Sequence, residues 1–444
     1  MSANTACTTL YRSLVIAILT AALASAALAQ TETVLHTFLG RADGGDGSDP
    51  LASLVADKAG NLYGTTTTGG GSSAFGCGGG CGTVFELSPP TTGSGGHWTE
   101  TILYRFRTVN ASDGSGPAAP LILDSAGNLY GSTEGGGTYG WGIVFELSPP
   151  AVLGGAWTEA ILYNNAGNEQ IANRTPLLFD AQGNLYGESS GYPNGDGLIF
   201  QLTPPSAQGG AWTFNLLFAF PSDGLLGAYP QGGLIWDQAG NLYGVAAYAG
   251  TSNCTFGGGG CGLVFELLKP SAQGGSWTFQ IIHPFINSNG DGLTPNVVMF
   301  HNGSLYGTTA YGGDVYGDGT IFQLSPPAMR GGAWTETILF SFNRNDTYGF
   351  RPQWGVIFDK TGNLYTTLST AGYGSGATQD VFELTPPTTN GGAWTPKVVY
   401  NFTGGSDGGG LDVSGLIFDK GNGLYGTTMT GGKAGKGVVF RVQP

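Results

Sequence analysis

The feature that most constrains this chain of 444 residues is an internal repeat. The tripeptide Asn-Leu-Tyr, with one change in some copies, recurs at separations of 56 to 67 residues. A second motif, VFEL or a close variant, follows each copy before the next one begins. Such self-similarity indicates an architecture in which each copy is one structural unit. The seven repeat leucines are Leu62, Leu129, Leu185, Leu242, Leu305, Leu364 and Leu424.

Each repeat contains four short runs of strand character. The fourth run, WTETILYRF at 98–106, shows the period of two that a half-buried strand needs. An Asp-x-x-Gly-Asn turn joins the first two runs, and a Pro-Pro pair ends the third because proline cannot donate to a ladder. These signals predict an all-β fold, a seven-bladed β-propeller of four-stranded antiparallel blades. A β-solenoid is the alternative, although its coils are usually shorter and more regular in length.

The ends of the chain predict how the ring closes. A third motif, Trp-Thr at the start of the fourth run, occurs only six times, and no fourth run follows the last copy. The segment TETVLHTF at 31–38 has the pattern of a fourth run, TETILYRF at 99–106. We therefore expect residues 31–38 to complete the seventh blade, which would hide two sheet edges. The predicted blades are 50–106, 117–165, 175–220, 230–286, 294–342, 351–402 and 412–443.

The N-terminus indicates export. Residues 1–29 carry one cation, an apolar stretch and Ala27-Leu28-Ala29 before Gln30, as in a cleaved secretory signal peptide. An uncleaved membrane anchor is the alternative, but the apolar stretch is shorter than the ~20 residues of a spanning helix. Residues 30–444 would then form the propeller, secreted, periplasmic or at the cell surface. No later segment is apolar enough to span a membrane.

Composition and net charge limit the kinds of partner that this chain can bind. The chain has 81 glycines and only 10% charged residues, yet 12% aromatic residues, which suits short strands and tight turns better than disorder. The net charge of −14 predicts no nucleic-acid partner, because such a surface repels phosphates. The expected state is a monomer.

Four cysteines remain after signal cleavage. Cys77 and Cys81 lie in blade one, and Cys254 and Cys261 lie in blade four, three blades away. Local pairing within each blade predicts two disulfides, as expected of an exported protein. A four-thiolate zinc site and a redox pair are the alternatives.

The repeated AGNLYGTT, GTVFELSPP and ILYRF segments resemble the GloVer tandem repeat of secreted bacterial proteins. The strand order is also similar to that of NHL-type propellers. The GloVer resemblance implies an exported bacterial repeat protein without a well-established activity, often carrying a C-terminal surface-sorting signal. Only Gln443 and Pro444 follow the last strand, so no such anchor is expected here.

Two sets of links are expected to share one face of the ring, the links between the second and third strands and those between blades. They combine aromatic residues with Asp-Gly turns, and such surfaces suit sugar rings. Packing of tyrosines between loops, with aspartates serving only as turn residues, is the structural alternative. The candidate ligand residues are Tyr139, Trp141, Tyr192, Tyr248, Tyr311, Tyr316, Tyr373, Asp113 and Asp223.

The segment NSNGDG at 287–292 suggests a calcium loop. Asn287, Asn289 and Asp291 alternate before a glycine, a spacing that lets oxygens converge on calcium. Val298 at the twelfth position excludes an EF-hand. No other cofactor is expected.

Catalytic signals are weak. His36 and His283 stand where other fourth strands carry Tyr or Phe, and Glu188 is the one unusual acid. No hydrolase or metalloprotease motif occurs, so no catalytic residue is assigned. The favoured function is an exported non-enzymatic scaffold that binds a ligand, with carbohydrate first and a cell-surface protein second. A propeller lyase or hydrolase acting on polysaccharide or lactone, and a purely structural surface protein, are the alternatives.

Overall fold

The fold is described from a computed structural model. It describes residues 31–444 except 41–44, 72–76, 78–79, 92–95, 108–112, 153, 167–173, 191–195, 208, 251–253, 255–259, 273, 289, 315, 330, 347, 353, 370–378, 390 and 411–414. Within these residues the regular elements are all strands. Nowhere in this described part is there a helix long and apolar enough to cross a membrane.

Thirty-one strands are formed, and all but two belong to seven blades. The first strand in the chain is β1 Glu32–Thr37. Blade one contains β2 Val55–Ala56, β3 Leu62–Thr66, β4 Thr83–Ser88 and β5 Thr99–Arg105. The two strands outside the blades, β6 Gly114–Ser115 and β9 Gly135–Gly136, pair with each other. Blade two contains β7 Ile122–Leu123, β8 Leu129–Ser132, β10 Ile143–Ser148 and β11 Thr158–Asn164.

The next two blades follow the same order. Blade three contains β12 Leu178–Phe179, β13 Leu185–Ser189, β14 Leu198–Thr203 and β15 Thr213–Ala219. Blade four contains β16 Ala228–Trp236, β17 Leu242–Tyr248, β18 Leu263–Leu268 and β19 Thr278–Pro284.

The last three blades complete the ring. Blade five contains β20 Gly292–His301, β21 Ser304–Gly312, β22 Thr320–Ser325 and β23 Thr335–Ser341. Blade six contains β24 Phe350–Pro352, β25 Ile357–Phe358, β26 Leu364–Ser369, β27 Gln379–Thr385 and β28 Thr395–Phe402. Blade seven contains β29 Ile417–Phe418, β30 Leu424–Thr428 and β31 Val438–Val442, with β1 as its fourth strand.

The predicted propeller and its closure are confirmed. Each blade is an antiparallel sheet whose strands follow chain order, apart from blade seven. There β1 pairs with β31, and Glu32 lies opposite Val442. Residues from the two ends of the chain therefore hydrogen-bond in one sheet.

The repeated turn between the first two strands is held by its aspartate. In blade one the Asp57 carboxylate accepts hydrogen bonds from the backbone N–H groups of Gly60 and Asn61, at 2.8 and 2.9 Å. The Tyr63 hydroxyl donates to the same carboxylate. The Asp-x-x-Gly-Asn-Leu-Tyr motif is thus a self-contained hairpin, because its side chains satisfy its own backbone.

The glycine that follows Leu-Tyr makes room for the core. A Cβ atom on Gly64 would lie 2.5 Å from the ring of Phe85, the phenylalanine of the VFEL motif. That ring is fully buried and forms an edge contact with Phe38 from the closing segment. The two repeated motifs therefore pack together in blade one. The phenylalanine ring of the VFEL motif lies against the glycine that follows Leu-Tyr on the second strand.

Candidate ligand face and blade seams

The two sets of variable links lie on one face of the ring, which we call the loop face. The link after blade one contributes β6, and the link between the second and third strands of blade two contributes β9. Ser48 bridges Thr68 in the same way, and Gly409 bridges Thr430. The loop face is defined by these paired links.

One pocket on the loop face gathers three of the predicted residues. It has a volume of about 200 Å³ and lies where the links of blades four, five and six meet. Tyr311 and Tyr316 come from blade five, and Asn287 precedes that blade. We call it the tyrosine pocket; its lining residues are Asn287, Leu293, Tyr311, Gly312, Tyr316, Gly317, Arg344 and Arg351.

Two arginines give the tyrosine pocket a cationic character that the sequence pattern did not indicate. The Arg344 guanidinium is paired with the buried Asp318 carboxylate, at 2.7 and 3.0 Å. Arg351 instead lies over the Tyr311 ring, 4.9 Å from its centroid. Its Nε is buried and has no hydrogen-bond partner among the described residues. Arg351 is therefore the cation this pocket can offer to a ligand.

A third predicted tyrosine extends the aromatic surface. Tyr248 is 42% exposed and makes an edge contact with Tyr229, with ring centroids 5.6 Å apart. Burial raises the pKa of the Tyr248 phenol, and the neighbouring Tyr311 adds to the rise. The Tyr248 phenol therefore stays a neutral hydrogen-bonding group at neutral pH.

The other predicted residues lie elsewhere. Tyr139 is exposed and Trp141 is half-buried, both in a link of blade two. Asp113 is buried, and its carboxylate accepts hydrogen bonds from the N–H groups of Arg107 and Gly114 at 2.9 and 2.7 Å. The exposed Asp223 accepts from Leu225 N–H at 2.9 Å. Tyr192, Tyr373 and Asn289 lie outside the described residues.

Both predicted disulfides are present. Cys77 pairs with Cys81, and Cys254 pairs with Cys261. Since all four cysteines of the described chain are paired within their own blades, they do not form the four-thiolate zinc site that was the alternative.

A second pocket lies on the opposite face of the ring, between the turns of blades six and seven. Its volume is about 370 Å³, and Asp359 and Asp419 contribute to its lining. Their carboxylates already accept hydrogen bonds from backbone N–H groups of their own turns. The pocket is therefore built from repeat turns.

Polar clusters recur where the fourth strands of adjacent blades meet, at positions we call the blade seams. Between blades one and two, the Tyr104 hydroxyl donates to the Glu159 carboxylate at 2.9 Å. Asp113 from the intervening link lies beside this pair. Four seams carry an equivalent set: Tyr104, Asp113 and Glu159; His283, Asp291 and Glu336; Tyr400, Asp407 and Glu32; His36, Asp46 and Glu100.

The seam glutamates share an electrostatic environment. Burial raises the pKa of Glu159 to about 7, and the nearby Asp113 carboxylate adds to the rise. Burial and Asp407 raise the pKa of Glu32 to the same value. Two other seams have stacked aromatic rings at the same positions, with Phe218 on Phe279 and Tyr163 on Phe214. The polar seams are thus a distinct set.

In the two histidine seams the side chains converge without a direct hydrogen bond. His283 Nε2 lies 3.8 Å from Asp291 Oδ1 and 3.6 Å from Glu336 Oε1. His36 Nε2 lies 3.5 Å from Asp46 and 3.6 Å from Glu100. The sequence interpretation gave both histidines a structural role. The sequence signal for these clusters is the glutamate that follows the Trp-Thr motif in the next blade, Glu100 for His36 and Glu336 for His283.

Glu188 lies in the second strand of blade three, away from the loop pocket and the seams. Its Oε1 accepts a hydrogen bond from Gly233 N–H at 2.9 Å, and burial raises its pKa to about 8. Burial and the Gly233 hydrogen bond are the influences on its pKa, and no charged neighbour among the described residues contributes. Glu188 is therefore a protonated interior carboxyl at neutral pH.

A sequence model of the Gloeobacter/Verrucomicrobia repeat matches residues 25–257, just over half of the chain. No curated protein sequence shows a significant match. Solved structures with similar folds share little sequence with it.

Among these structures is the extracellular domain of a protein described as a hybrid two-component system, from B. thetaiotaomicron. It is 14% identical with a TM-score of 0.49, over 93% of this chain and 41% of that one. PorZ, a surface component of the type-IX secretion system of Porphyromonas gingivalis, is 16% identical with a TM-score of 0.48, over 91% and 47%. A Xanthomonas campestris gluconolactonase is 16% identical with a TM-score of 0.35, over 68% and 78%. The chain thus spans less than half the length of the first two.

Proposed function

The chain belongs to the Gloeobacter/Verrucomicrobia repeat family, and from that premise we propose that it is an exported, non-enzymatic propeller scaffold that binds carbohydrate on its loop face. The observation that carries the proposal is the tyrosine pocket, where Tyr311 and Tyr316 lie beside Arg351. Flat aromatic side chains offer stacking surface to the apolar face of a sugar ring. Arg351 offers N–H donors suited to a carboxylate.

The charge of the tyrosine pocket indicates which class of sugar it would bind. In a chain with a net charge of −14, a cation held over an aromatic ring is a local exception. Arg344 is neutralised by Asp318, whereas Arg351 has an unpartnered buried Nε among the described residues. An acidic sugar such as a uronic acid would satisfy that donor. We therefore expect acidic glycans to bind more tightly than their neutral counterparts.

Export is supported by the two disulfides, since such bonds persist in oxidising compartments. It is also supported by the signal-peptide pattern at 1–29, which lies outside the described residues. Carbohydrate at a cell surface or in the surrounding medium would then be within reach of the loop face.

A glycan array of neutral and uronic-acid glycans, run with and without calcium, tests the proposal. Tyr311→Ala should weaken binding about tenfold, the loss of roughly 1.4 kcal/mol of contact. Arg351→Gln should selectively weaken binding of the acidic glycans. Tyr139→Ala is the matched control, because Tyr139 is an exposed link tyrosine of blade two.

The alternatives predict different results. If Tyr139→Ala abolishes binding and Tyr311→Ala does not, the ligand site lies on blade two. Calcium-dependent binding would support the loop that contains Asn287 and Asp291 as a calcium site. Turnover of a polysaccharide or lactone without stable binding would favour the propeller enzyme. Neither binding nor turnover would favour a structural surface protein.

A further inference from the structure

We propose that the seam between blades four and five is a site for a divalent transition-metal ion, bound by His283, Asp291 and Glu336. The equivalent seam between blades seven and one, with His36, Asp46 and Glu100, would hold a second ion. The seam at blades four and five shares Asp291 with the predicted calcium loop, but its other two ligands, His283 and Glu336, lie outside that loop.

The ligand atoms already have the spacing of a coordination site. In each seam one nitrogen and two carboxylate oxygens lie within 4.8 Å of one another. In a tetrahedral zinc site with bonds of about 2.0–2.2 Å, neighbouring ligand atoms are about 3.4 Å apart. The histidine to carboxylate distances of 3.6 and 3.8 Å at blades four and five need only a small contraction.

These atoms have no hydrogen-bond partners among the described residues. His283 Nε2, Asp291 Oδ1 and Glu336 Oε1 are all buried and unpartnered. Asp291 is only 7% exposed. Buried polar atoms are nearly always satisfied, because leaving them unpaired is costly. Three such atoms directed at one point are what a bound cation would satisfy together.

The tyrosine seams provide an internal comparison. Where Tyr104 occupies the position of His283, its hydroxyl reaches Glu159 at 2.9 Å and closes the seam directly. The shorter imidazole stops 3.6 Å from the equivalent Glu336. The same position in the fold can therefore hold either residue. A tyrosine there hydrogen-bonds directly to the glutamate, whereas a histidine leaves a gap in which a metal ion could bind.

The surroundings hold the ligands in place. Asp291 Oδ2 accepts a hydrogen bond from Ile286 N–H at 2.7 Å, which leaves Oδ1 directed into the cluster. The His283 ring packs edge-on against Phe285, with centroids 4.7 Å apart. Such outer contacts orient ligands in metal sites. Imidazole with carboxylates favours zinc and similar metals over calcium, which prefers oxygen ligands alone.

The second seam would reinforce ring closure. His36 belongs to β1, the strand that completes blade seven, whereas Glu100 belongs to β5 of blade one. His36 Nε2 and Glu100 Oε1 are also buried and unpartnered. The Asp46 carboxylate accepts a hydrogen bond from Leu39 N–H at 2.9 Å. A metal ion at this seam would link β1, the strand that closes the ring, to blade one. A metal ion at the other seam would link blade four to blade five.

Zinc binding to the tag-free mature protein, stripped with a chelator, tests the proposal. Isothermal titration and metal analysis should give two zinc ions per chain and a raised melting temperature. His283→Tyr should reduce the stoichiometry to one, and the double variant with His36→Tyr should reduce it to zero. Tyrosine is chosen because the seam at Tyr104 already accepts it.

Two controls keep the result specific. Tyr104→Phe alters a seam without histidine, and His301→Ala removes a histidine outside the seams; both variants should still bind two zinc ions. Stoichiometry unchanged by His283→Tyr would overturn the proposal. So would the absence of zinc binding by a folded wild-type protein, and a proton shared between Glu336 and Asp291 would then explain the geometry.

Discussion

At the scale of single residues, the binding properties of a side chain depend on which residues of the neighbouring blade pack against it. Asp291 and Asn287 are close in sequence, and their spacing predicts a shared calcium loop. In the structure Asn287 is exposed, and Asp291 is buried beside His283 and Glu336. Glu336 comes from another blade, 45 positions further along the chain. Spacing along one loop cannot reveal such a contact, because it arises only when two repeats dock.

The burial of Glu188 predicts how the stability of the protein varies with pH. Its pKa is raised to about 8 by burial, whereas the carboxyl of an unfolded chain titrates near 4.5. Between these pH values the folded state holds a proton that the unfolded state releases, so stability falls as pH rises. Below pH 4.5 both states are protonated and the contribution is complete. Glu188→Gln should therefore stabilise the protein by about 5 kcal/mol at pH 8.5 and hardly at all at pH 4.

Chemical denaturation across this pH range provides the measurement. Glu134→Gln, which removes a half-exposed carboxylate on the surface, controls for the change in net charge. A stability difference between Glu188→Gln and wild type that does not vary with pH would contradict the interpretation.

At the scale of elements, the blade could be predicted because its signals are local. Strand alternation, the aspartate turn and the proline pair each specify the backbone within a few residues. The tyrosine pocket could be predicted only in part. Tyr311 and Tyr316 were identified from aromatic residues in variable links, but Arg351 precedes the inner strand of the next blade. It enters the pocket because blade six places it over Tyr311.

The glycine and phenylalanine of one blade provide a test of element packing. A Cβ atom on Gly244 would lie 2.5 Å from the ring of Phe265 and 3.1 Å from Leu234. Gly244→Ala should destabilise the protein by about 1–3 kcal/mol, the usual cost of overpacking. The same change in a Phe265→Leu background should cost less, since the ring is gone. Equal costs in both backgrounds, measured by denaturant unfolding, would exclude the ring as the cause.

At the scale of the whole molecule, the N-terminal segment closes the ring. The fully buried Phe38 follows β1 and packs against Phe85 of blade one, so the N-terminal segment contributes both a strand and core volume. Sequence could predict this closure because a fourth-strand motif was missing at one end and present at the other. The metal seams that would reinforce it were not predicted, since they depend on contacts between blades.

Deleting residues 31–38 should lower the melting temperature by at least about 10 °C. Loss of Phe38 alone removes a side chain whose truncation typically costs 3–5 kcal/mol. It would also expose the edge of β31. Thermal unfolding followed by circular dichroism, with the chain starting at Gln30 as the reference, gives the comparison. An unchanged melting temperature would show that β1 does not close the ring in solution.

The pairing of Glu32 with Val442 also determines the order of events when the chain is synthesised. One of the first strands to emerge must wait for the last one, because its partner lies about 410 residues further on. The ring is therefore completed only after Val442 has been synthesised. Until then β1 is an unpaired edge, and an interrupted chain presents a strand that can pair with another molecule.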